Sequence, residues 1–188
     1  MVKERFLNYT DAIVAIIATI MILELPIPKN ASLSALKLAM LPFFAYLLSF
    51  LVIWVVWFNH HGLFNSVRKI NARVYWYNGL WIFTMSLFPF FTAWVGRYPD
   101  KVLPEFSYLS LILLWSISFT LMETELIREK ENRLNANDHN RYPRKGYYLI
   151  ILTGFGVVWF YPVYVLLTIL IFLILSIRRQ VGPRVVVH

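Results

Sequence analysis

The sequence predicts an all-α integral membrane protein with six transmembrane helices. Of its 188 residues, 59% are hydrophobic and only 15% are charged, which is too apolar for an ordinary soluble domain. A spanning helix needs roughly 20 mostly apolar residues. Six stretches meet this requirement, at about residues 7–25, 38–63, 74–96, 103–126, 146–161 and 162–178. The longest polar stretch, Arg128 to Lys145, is too short to bury a core of its own, so we expect one transmembrane domain over residues 1–188.

Prolines and turn residues define the first three spans. Pro26 and Pro28 end the first span, because proline cannot supply the amide hydrogen that a helix interior needs. No small-x-small cleavage site follows this run, so we expect a retained helix rather than a cleaved signal peptide. The polar loop from Asn30 to Ser34 supplies a cap for the second span. Pro89 is expected to bend or break the third span.

A turn at residues 96–100 separates the third span from the fourth. The apolar run from Tyr147 to Ile177 is too long for a single crossing at about 1.5 Å per residue. Pro162 is therefore the predicted turn between spans five and six. The alternative is one tilted helix, which would move the C-terminal arginines to the opposite side of the membrane.

The distribution of positive charge predicts the orientation. The net charge of +8 would suggest nucleic-acid binding in a soluble protein, but here the positions of the charges explain it. Fourteen of the 18 Lys and Arg residues lie on the side that holds both termini, and only Lys29, Lys37, Arg97 and Lys101 lie on the other. By the positive-inside rule, both termini are cytoplasmic. We expect no nucleic-acid partner.

Several kinds of active site are excluded by what the sequence lacks. Cysteine is absent, so disulfides, thiolate catalysis and Cys-based metal sites are excluded within this chain. The adjacent His60 and His61 point about 100° apart on a helix, and no HExxH spacing accompanies them. Glu123 and Glu125 are two residues apart, hence on different faces, and we expect both to be exposed to water. We predict no enzyme, no cofactor and no resident metal.

Polar residues gather at the cytoplasmic end of the first three spans. Arg5 and Asp11 are six residues apart and lie on different faces, so each is expected to contact another helix. Candidate partners at the same depth are Asn59, His60, His61, Asn71, Arg73 and Asn78. We favour a polar cluster that fixes span one to spans two and three. The alternative is that Arg5 is an interfacial anchor and Asp11 a first-turn helix cap.

An aliphatic stripe follows these charges along the first span. Steps of three and four place five residues on one narrow face: Ala12, Ile16, Thr19, Ile20 and Leu23. Such a stripe usually packs in a protein core. The alternative is that several copies of this helix meet around an axis, where the stripe becomes a pore wall.

The opening Arg5-x3-Tyr9-Thr10-Asp11 resembles the RxxxFSD signature of the transmembrane protein 175 family of potassium channels. Further motifs in the same order resemble the family's second and third helices: Asn59-His60-His61 with Phe64, then Asn78, Ser86 to Pro89, Thr92 and Gly96 to Tyr98. The resemblance covers residues 5–98 and extends beyond them only in hydropathy and a tyrosine-proline turn. Tyr9 stands for phenylalanine, Thr10 for serine, and Ala12 where bacterial members often have glycine.

This resemblance implies a six-helix subunit in which helix one lines a central four-fold pore. A chain with one six-helix unit would form a homotetramer in the plasma membrane of a prokaryote and conduct potassium passively. Ile16 would form the main hydrophobic constriction, Ile20 and Leu23 further rings, and Thr19 would add hydroxyls. Glu24 at the outer mouth would attract cations, or would contact lipid or a loop.

The resemblance also assigns a structural signature cluster to Arg5, Tyr9, Thr10, Asp11, Asn59, His60, His61 and Asn78. The family lacks the TVGYG carbonyl filter, and this sequence lacks it too. The alternative function is a proton-coupled or other secondary transporter that uses Asp11 and the histidines as a relay. The lack of an internal repeat and of glycine-broken membrane helices speaks against it.

Overall fold

The computed structural model describes residues 3–65, 67–129, 132 and 144–181. In this part of the chain all regular structure is helical, which confirms the all-α prediction. The elements are α1 (Lys3–Leu23), α2 (Leu33–Asn65), α3 (Ala72–Ser86), α4 (Phe88–Arg97), α5 (Val102–Arg128), α6 (Arg144–Phe160), a short 3-10 turn (Pro162–Tyr164) and α7 (Val165–Val181). The basic segments at 130–143, apart from Asn132, and at 182–188 lie outside the described residues.

These helices match the predicted spans. Four segments are long and apolar enough to cross a membrane, namely α1, α2, α3 together with α4, and α5. The last two helices are apolar and 17 residues long, at the lower limit for a span. The chain is therefore a multi-pass membrane protein.

Pro89 interrupts the third span as predicted. α3 ends at Ser86 and α4 begins at Phe88, with Pro89 in the first turn of α4. Leu87 between them keeps a helical conformation, and its amide donates to Thr84 O over 3.3 Å. Proline has no amide hydrogen, so one backbone hydrogen bond is missing at this point, but the chain continues in the same direction.

Pro162 separates the last two helices, so the single-helix alternative is wrong. α6 ends at Phe160, and a 3-10 turn that begins at Pro162 leads into α7. The rings of Tyr147, near the start of α6, and Phe172, in the second half of α7, lie 4.9 Å apart. The two helices are therefore antiparallel neighbours.

A stack of aromatic rings forms the centre of the helix bundle. The imidazole of His60 lies on the indole of Trp81, with centroids 4.7 Å apart and planes 7° apart. Trp81 in turn stacks on Trp115 at 5.9 Å and 11°. These rings are almost fully buried and join α2, α3 and α5. This packing holds α3 between α2 and α5, in a position from which its polar side chains reach α1.

The turn between α2 and α3 lies at the end of the bundle where α1 begins, which we call the terminal end. Lys3 Nζ donates to Val67 O over 2.8 Å. The Asn132 side chain accepts from the amides of Arg68 and Lys69 at 2.9 and 2.7 Å and donates to Leu126 O at 3.2 Å. The start of α1 and the segment after α5 thus hold this turn. We call the opposite end, where α1 and α4 finish, the distal end.

At the distal end, α2 and α4 approach one another closely. A Cβ atom placed on Gly96 would lie 2.8 Å from Pro42 Cα. Real Cβ atoms do not approach backbone so closely, so only glycine permits this contact. The close approach positions the last turn of α4 beside the end of α1.

Candidate functional site

Helix α1 has one packed face and one uncovered face. Its buried side chains are Phe6, Thr10, Val14, Ile17 and Met21. The predicted stripe lies on the other face, where Ile16 is 55% exposed, Ile20 41% and Leu23 80%. Core packing within this chain is therefore the wrong explanation of the stripe. These apolar side chains are available to another surface.

The hydroxyl of Thr19 lies on the uncovered face. It donates to Ile16 O one turn earlier, over 2.8 Å. Because the hydrogen is used inside the helix, the oxygen lone pairs remain available to an external donor or cation.

An open groove runs along one edge of the stripe. Its cavity of about 630 Å³ lies between α1 and α4. Ile16, Ile20 and Glu24 line it from the side of α1, and Phe90, Trp94, Arg97 and Tyr98 are among its lining residues from α4 and the residue that follows. The uncovered face of α1 therefore continues onto an aromatic surface of α4.

Three polar side chains of the predicted cluster form one buried chain of hydrogen bonds. Asn78 Nδ2 on α3 donates to Thr10 Oγ1 on α1 over 3.0 Å. His60 Nε2 on α2 donates to Asn78 Oδ1 over 3.0 Å. All three side chains are buried. In a low-dielectric interior these bonds tie three helices together at one depth.

Asp11 contacts α2 through a residue that the sequence analysis did not assign. Trp57 Nε1 donates to Asp11 Oδ1 over 2.8 Å. A signal was present, because an indole N–H in a membrane helix needs an acceptor and Trp57 precedes His60 by one turn. The carboxylate therefore has a partner on a neighbouring helix.

Other members of the predicted cluster are less deeply buried. Arg5 and Tyr9 are exposed on α1, with Tyr9 67% exposed. His61 is exposed, and its ring lies 6.0 Å from that of Trp57. Asn59 is half-buried. The structure thus brings together Thr10, His60 and Asn78 and leaves Arg5 apart.

A second polar group at the terminal end joins α3 to α5. Asn71 Nδ2 donates to Glu125 Oε1 over 3.1 Å, and Arg73 lies 3.7 Å from the same oxygen. Asn71 Oδ1 also caps α3 by accepting from the Val74 amide over 2.9 Å. The expectation that Glu123 and Glu125 are exposed to water is wrong, since they are 1% and 8% exposed. Packing of α3 against α5 brings Asn71 and Arg73 to Glu125, whereas Glu123 lines a cavity with residues of several helices. Hydropathy alone could not reveal this packing.

The described residues contain no group of three or more His, Asp or Glu side chains that could hold a metal ion. Their arrangement instead consists of a multi-helix anchor at the terminal end of α1 and an uncovered apolar face along the rest of it. The anchor can hold α1 in place while its free face meets a partner, a lipid or a permeating ion.

Known proteins resemble this chain in sequence. The family model described as "Endosomal/lysosomal potassium channel TMEM175" matches residues 5–89. A potassium channel of Chryseobacterium sp. is 34% identical over 164 residues, which cover 86% of this chain and 85% of that protein. The zebrafish (Danio rerio) endosomal/lysosomal proton channel TMEM175 is 26% identical, and the match covers 91% of this chain but 36% of that protein.

A solved structure has the same fold. It is the crystal structure of a lysosomal potassium-selective channel TMEM175 homolog from Chamaesiphon minutus, which matches with a TM-score of 0.77 and 22% identity. The match covers 96% of this chain and 98% of that one. Together with the sequence relatives, it leads to one conclusion: the chain belongs to the TMEM175 family, a family of ion channels and not of enzymes.

Proposed function

We propose that this chain is the subunit of a homotetrameric, potassium-selective channel that conducts passively. The observation that carries the proposal is the uncovered stripe of α1, because the Thr19 hydroxyl lies among Ile16, Ile20 and Leu23 on it, and a face that only contacts lipid needs no hydroxyl. The Chryseobacterium relative, named a potassium channel, supports the choice of ion. In this proposal α1 lines a four-fold pore.

The constriction would act through hydration. Four Ile16 side chains at one level narrow the path, so an ion must shed part of its water, and potassium dehydrates at a lower cost than sodium. Rings at Ile16, Ile20 and Leu23 would extend over roughly 10 Å of the axis at 1.5 Å per residue. Such a hydrophobic segment closes by dewetting and opens when it widens slightly. Thr19 would replace lost water ligands with its hydroxyl oxygen.

The polar network would keep α1 at a fixed position in each subunit. Thr10, Asn78 and His60 join three helices, and Asp11 adds the bond to Trp57. We propose that this anchor, with Arg5, Tyr9, Asn59 and His61 beside it, aligns the four stripes. The whole chain would act as a single six-helix unit in the plasma membrane, with both termini in the cytoplasm.

Proton movement is the second candidate function. The zebrafish relative is named a proton channel, and a transporter that uses Asp11 and the histidines would also move protons. The contacts favour a structural role for these groups instead, because Asp11 bonds to Trp57 whereas His60 bonds to Asn78. A relay between Asp11 and His60 would need a bridging molecule.

Flux through reconstituted liposomes tests the proposal. Vesicles loaded with potassium and carrying the purified protein are expected to show dissipative, electrogenic potassium efflux without a coupling ion. A pH dye in the same vesicles, with potassium replaced by an impermeant cation, measures protons. Saturating flux that requires a proton gradient would favour the transporter, and absence of ion flux at any potential would overturn the channel assignment.

A further inference from the structure

Two exposed side chains of opposite charge line the same cavities at the distal end of the bundle without forming an ion pair. Glu24 follows the end of α1, and Arg97 lies in the last turn of α4. Both line two neighbouring cavities of about 220 and 630 Å³. No ion pair within 4.0 Å joins these two side chains, and neither makes another ion pair or hydrogen bond within the described part of the chain. The carboxylate of Glu24 and the guanidinium of Arg97 thus line the same two cavities without a bonded partner in the described part of the chain.

The smaller cavity is a pocket between α1, α2 and α4. Tyr46 and Thr92 line it together with the two charged residues. Thr92 is buried and its hydroxyl donates to Ser49 Oγ over 2.9 Å, which places a polar group in the wall of the pocket. The volume of about 220 Å³ is several times the roughly 30 Å³ that a water molecule occupies in the liquid. The pocket therefore has room for a polar group larger than a single ion.

The depth of the pocket matches a lipid headgroup. The 21 residues of α1 extend about 30 Å at 1.5 Å per residue, the thickness of the hydrocarbon core. Glu24 follows directly, and Arg97 ends a helix of the same bundle, so both lie at headgroup level. Leu38, also in the lining, is 82% exposed and offers an apolar surface to an acyl chain.

We propose that this pocket binds the headgroup of a zwitterionic phospholipid with a primary amine, of the phosphatidylethanolamine type. The Arg97 guanidinium would bind the phosphate, and the Glu24 carboxylate would accept hydrogen bonds from the ammonium. An anionic headgroup without an amine would leave Glu24 unpaired and would be repelled by it. A choline headgroup carries no ammonium hydrogen to donate.

The rigid floor of the pocket supports the assignment. Pro42 and Gly96, which both line the cavity, meet at the close approach of α2 and α4 described above. This contact fixes the backbone next to Arg97 relative to α2, so the floor of the pocket is formed before a lipid arrives. Since Glu24 and Arg97 also border the larger groove beside the α1 stripe, a bound headgroup would adjoin the surface that we assign to the pore.

Native mass spectrometry of the purified protein with added dioleoyl lipids tests the proposal. The parent protein is expected to retain phosphatidylethanolamine several-fold more than phosphatidylglycerol or phosphatidylcholine. Glu24→Gln should remove the preference for the amine, so that phosphatidylethanolamine and phosphatidylglycerol are retained equally. Arg97→Gln should lower the retention of all three lipids several-fold. Lys101→Gln removes an exposed cation at the same end and outside the pocket, and it should change nothing.

Three results would overturn the proposal. The first is equal retention of the three lipids by the parent protein, and the second is parent-like retention by both Gln variants. The third comes from a competition experiment with two competitors, free phosphoethanolamine and phosphatidylethanolamine. If both displace the bound lipid at the same concentration, the ligand is a soluble zwitterion and not a lipid. Thermal unfolding in detergent checks that the variants are folded. Lipid binding is measured without ion flux, so failure of this proposal can be distinguished from failure of the channel proposal.

Discussion

The indole N–H of Trp57 on α2 donates a 2.8 Å hydrogen bond to the carboxylate of Asp11 on α1. Asp11 follows Thr10, whose hydroxyl accepts from Asn78 on α3. Two adjacent residues of α1 thus point to two different helices. This division explains how one turn of α1 is held from two sides while its remaining face stays uncovered.

Replacement of the donor should weaken this anchor. Trp57→Phe keeps an aromatic ring but leaves the carboxylate without the indole N–H, and a hydrogen bond to a charged group contributes about 1.5–3 kcal/mol. We expect a lower midpoint of thermal unfolding in detergent and a lower yield of tetramer. Trp54→Phe is the matched control, since Trp54 is 57% exposed on the same helix. Equal midpoints for the two variants would contradict a role for the Trp57 bond.

The hydroxyl of Thr10 should contribute to the stability of the protein. Thr10→Val preserves shape and leaves the buried Asn78 amide without its acceptor, at a cost of about 1–3 kcal/mol. Thr10→Ser keeps the oxygen and should retain most of the stability. Thr19→Val, on the uncovered face of the same helix, is the control in thermal unfolding. If Ser and Val at position 10 gave the same midpoint, the hydrogen bond would not be what stabilises this site.

Gly96 should not tolerate a side chain. Gly96→Ala places a methyl group 2.8 Å from Pro42 Cα, and such overpacking costs about 1–3 kcal/mol. Gly79→Ala is the opposite control, because no atom lies within 4 Å of the position that its methyl group would take and alanine in a helix interior is favoured by about 0.5–1 kcal/mol. Thermal unfolding should therefore move in opposite directions for the two variants, and a stable Gly96→Ala protein would contradict the close contact.

Selectivity should depend on the side chain at position 16. Ile16→Asn would widen or hydrate the constriction, so that sodium passes more readily. Reversal potentials under opposing potassium and sodium gradients measure this change. Ile22→Asn, which alters an exposed isoleucine of α1 outside the stripe, should leave the ratio unchanged. An unchanged reversal potential in Ile16→Asn would remove the basis for placing the constriction there.

Four-fold assembly around α1 should be detectable by cross-linking. The chain has no cysteine, so Ile16→Cys introduces a single thiol per subunit. Near a pore axis these thiols come within reach of one another, and mild oxidation should produce disulfide-linked dimers within the tetramer. Leu149→Cys, an exposed position on α6, should remain monomeric on denaturing gels. Monomers alone from oxidised Ile16→Cys would exclude a pore lined by this residue.

The sequence predicted the positions of the helices well because these depend on local properties. Pro89 and Pro162 divide apolar runs wherever they lie, since a proline removes one backbone hydrogen bond from the helix itself. Depth in the membrane also follows from position along a span, so His60 and Asn78 could be placed at one level, whereas Thr10 entered the predicted cluster through the family resemblance. The identity of each bonded pair could not be anticipated, because several polar groups share one depth.

The predictions that failed concern burial and bonded pairs, which depend on packing between helices far apart in the sequence. Arg5 was expected in the cluster by its charge, but its side chain is exposed, and Trp57 bonds to Asp11 instead. Glu123 and Glu125 were expected in water, and the packing of neighbouring helices on α5 buries both. Charge and helical spacing do not indicate which neighbouring helix covers a given face.

The sequence by itself determined that this protein is an all-α membrane protein with breaks at fixed prolines, because in lipid each helix must satisfy its own backbone hydrogen bonds. It also aligned Ile16, Thr19, Ile20 and Leu23 on one face, since that follows from the period of the helix. Only the tertiary structure decided that this face is left uncovered and the opposite one packed. Periodicity defines a face, whereas the neighbouring helices determine whether it is buried.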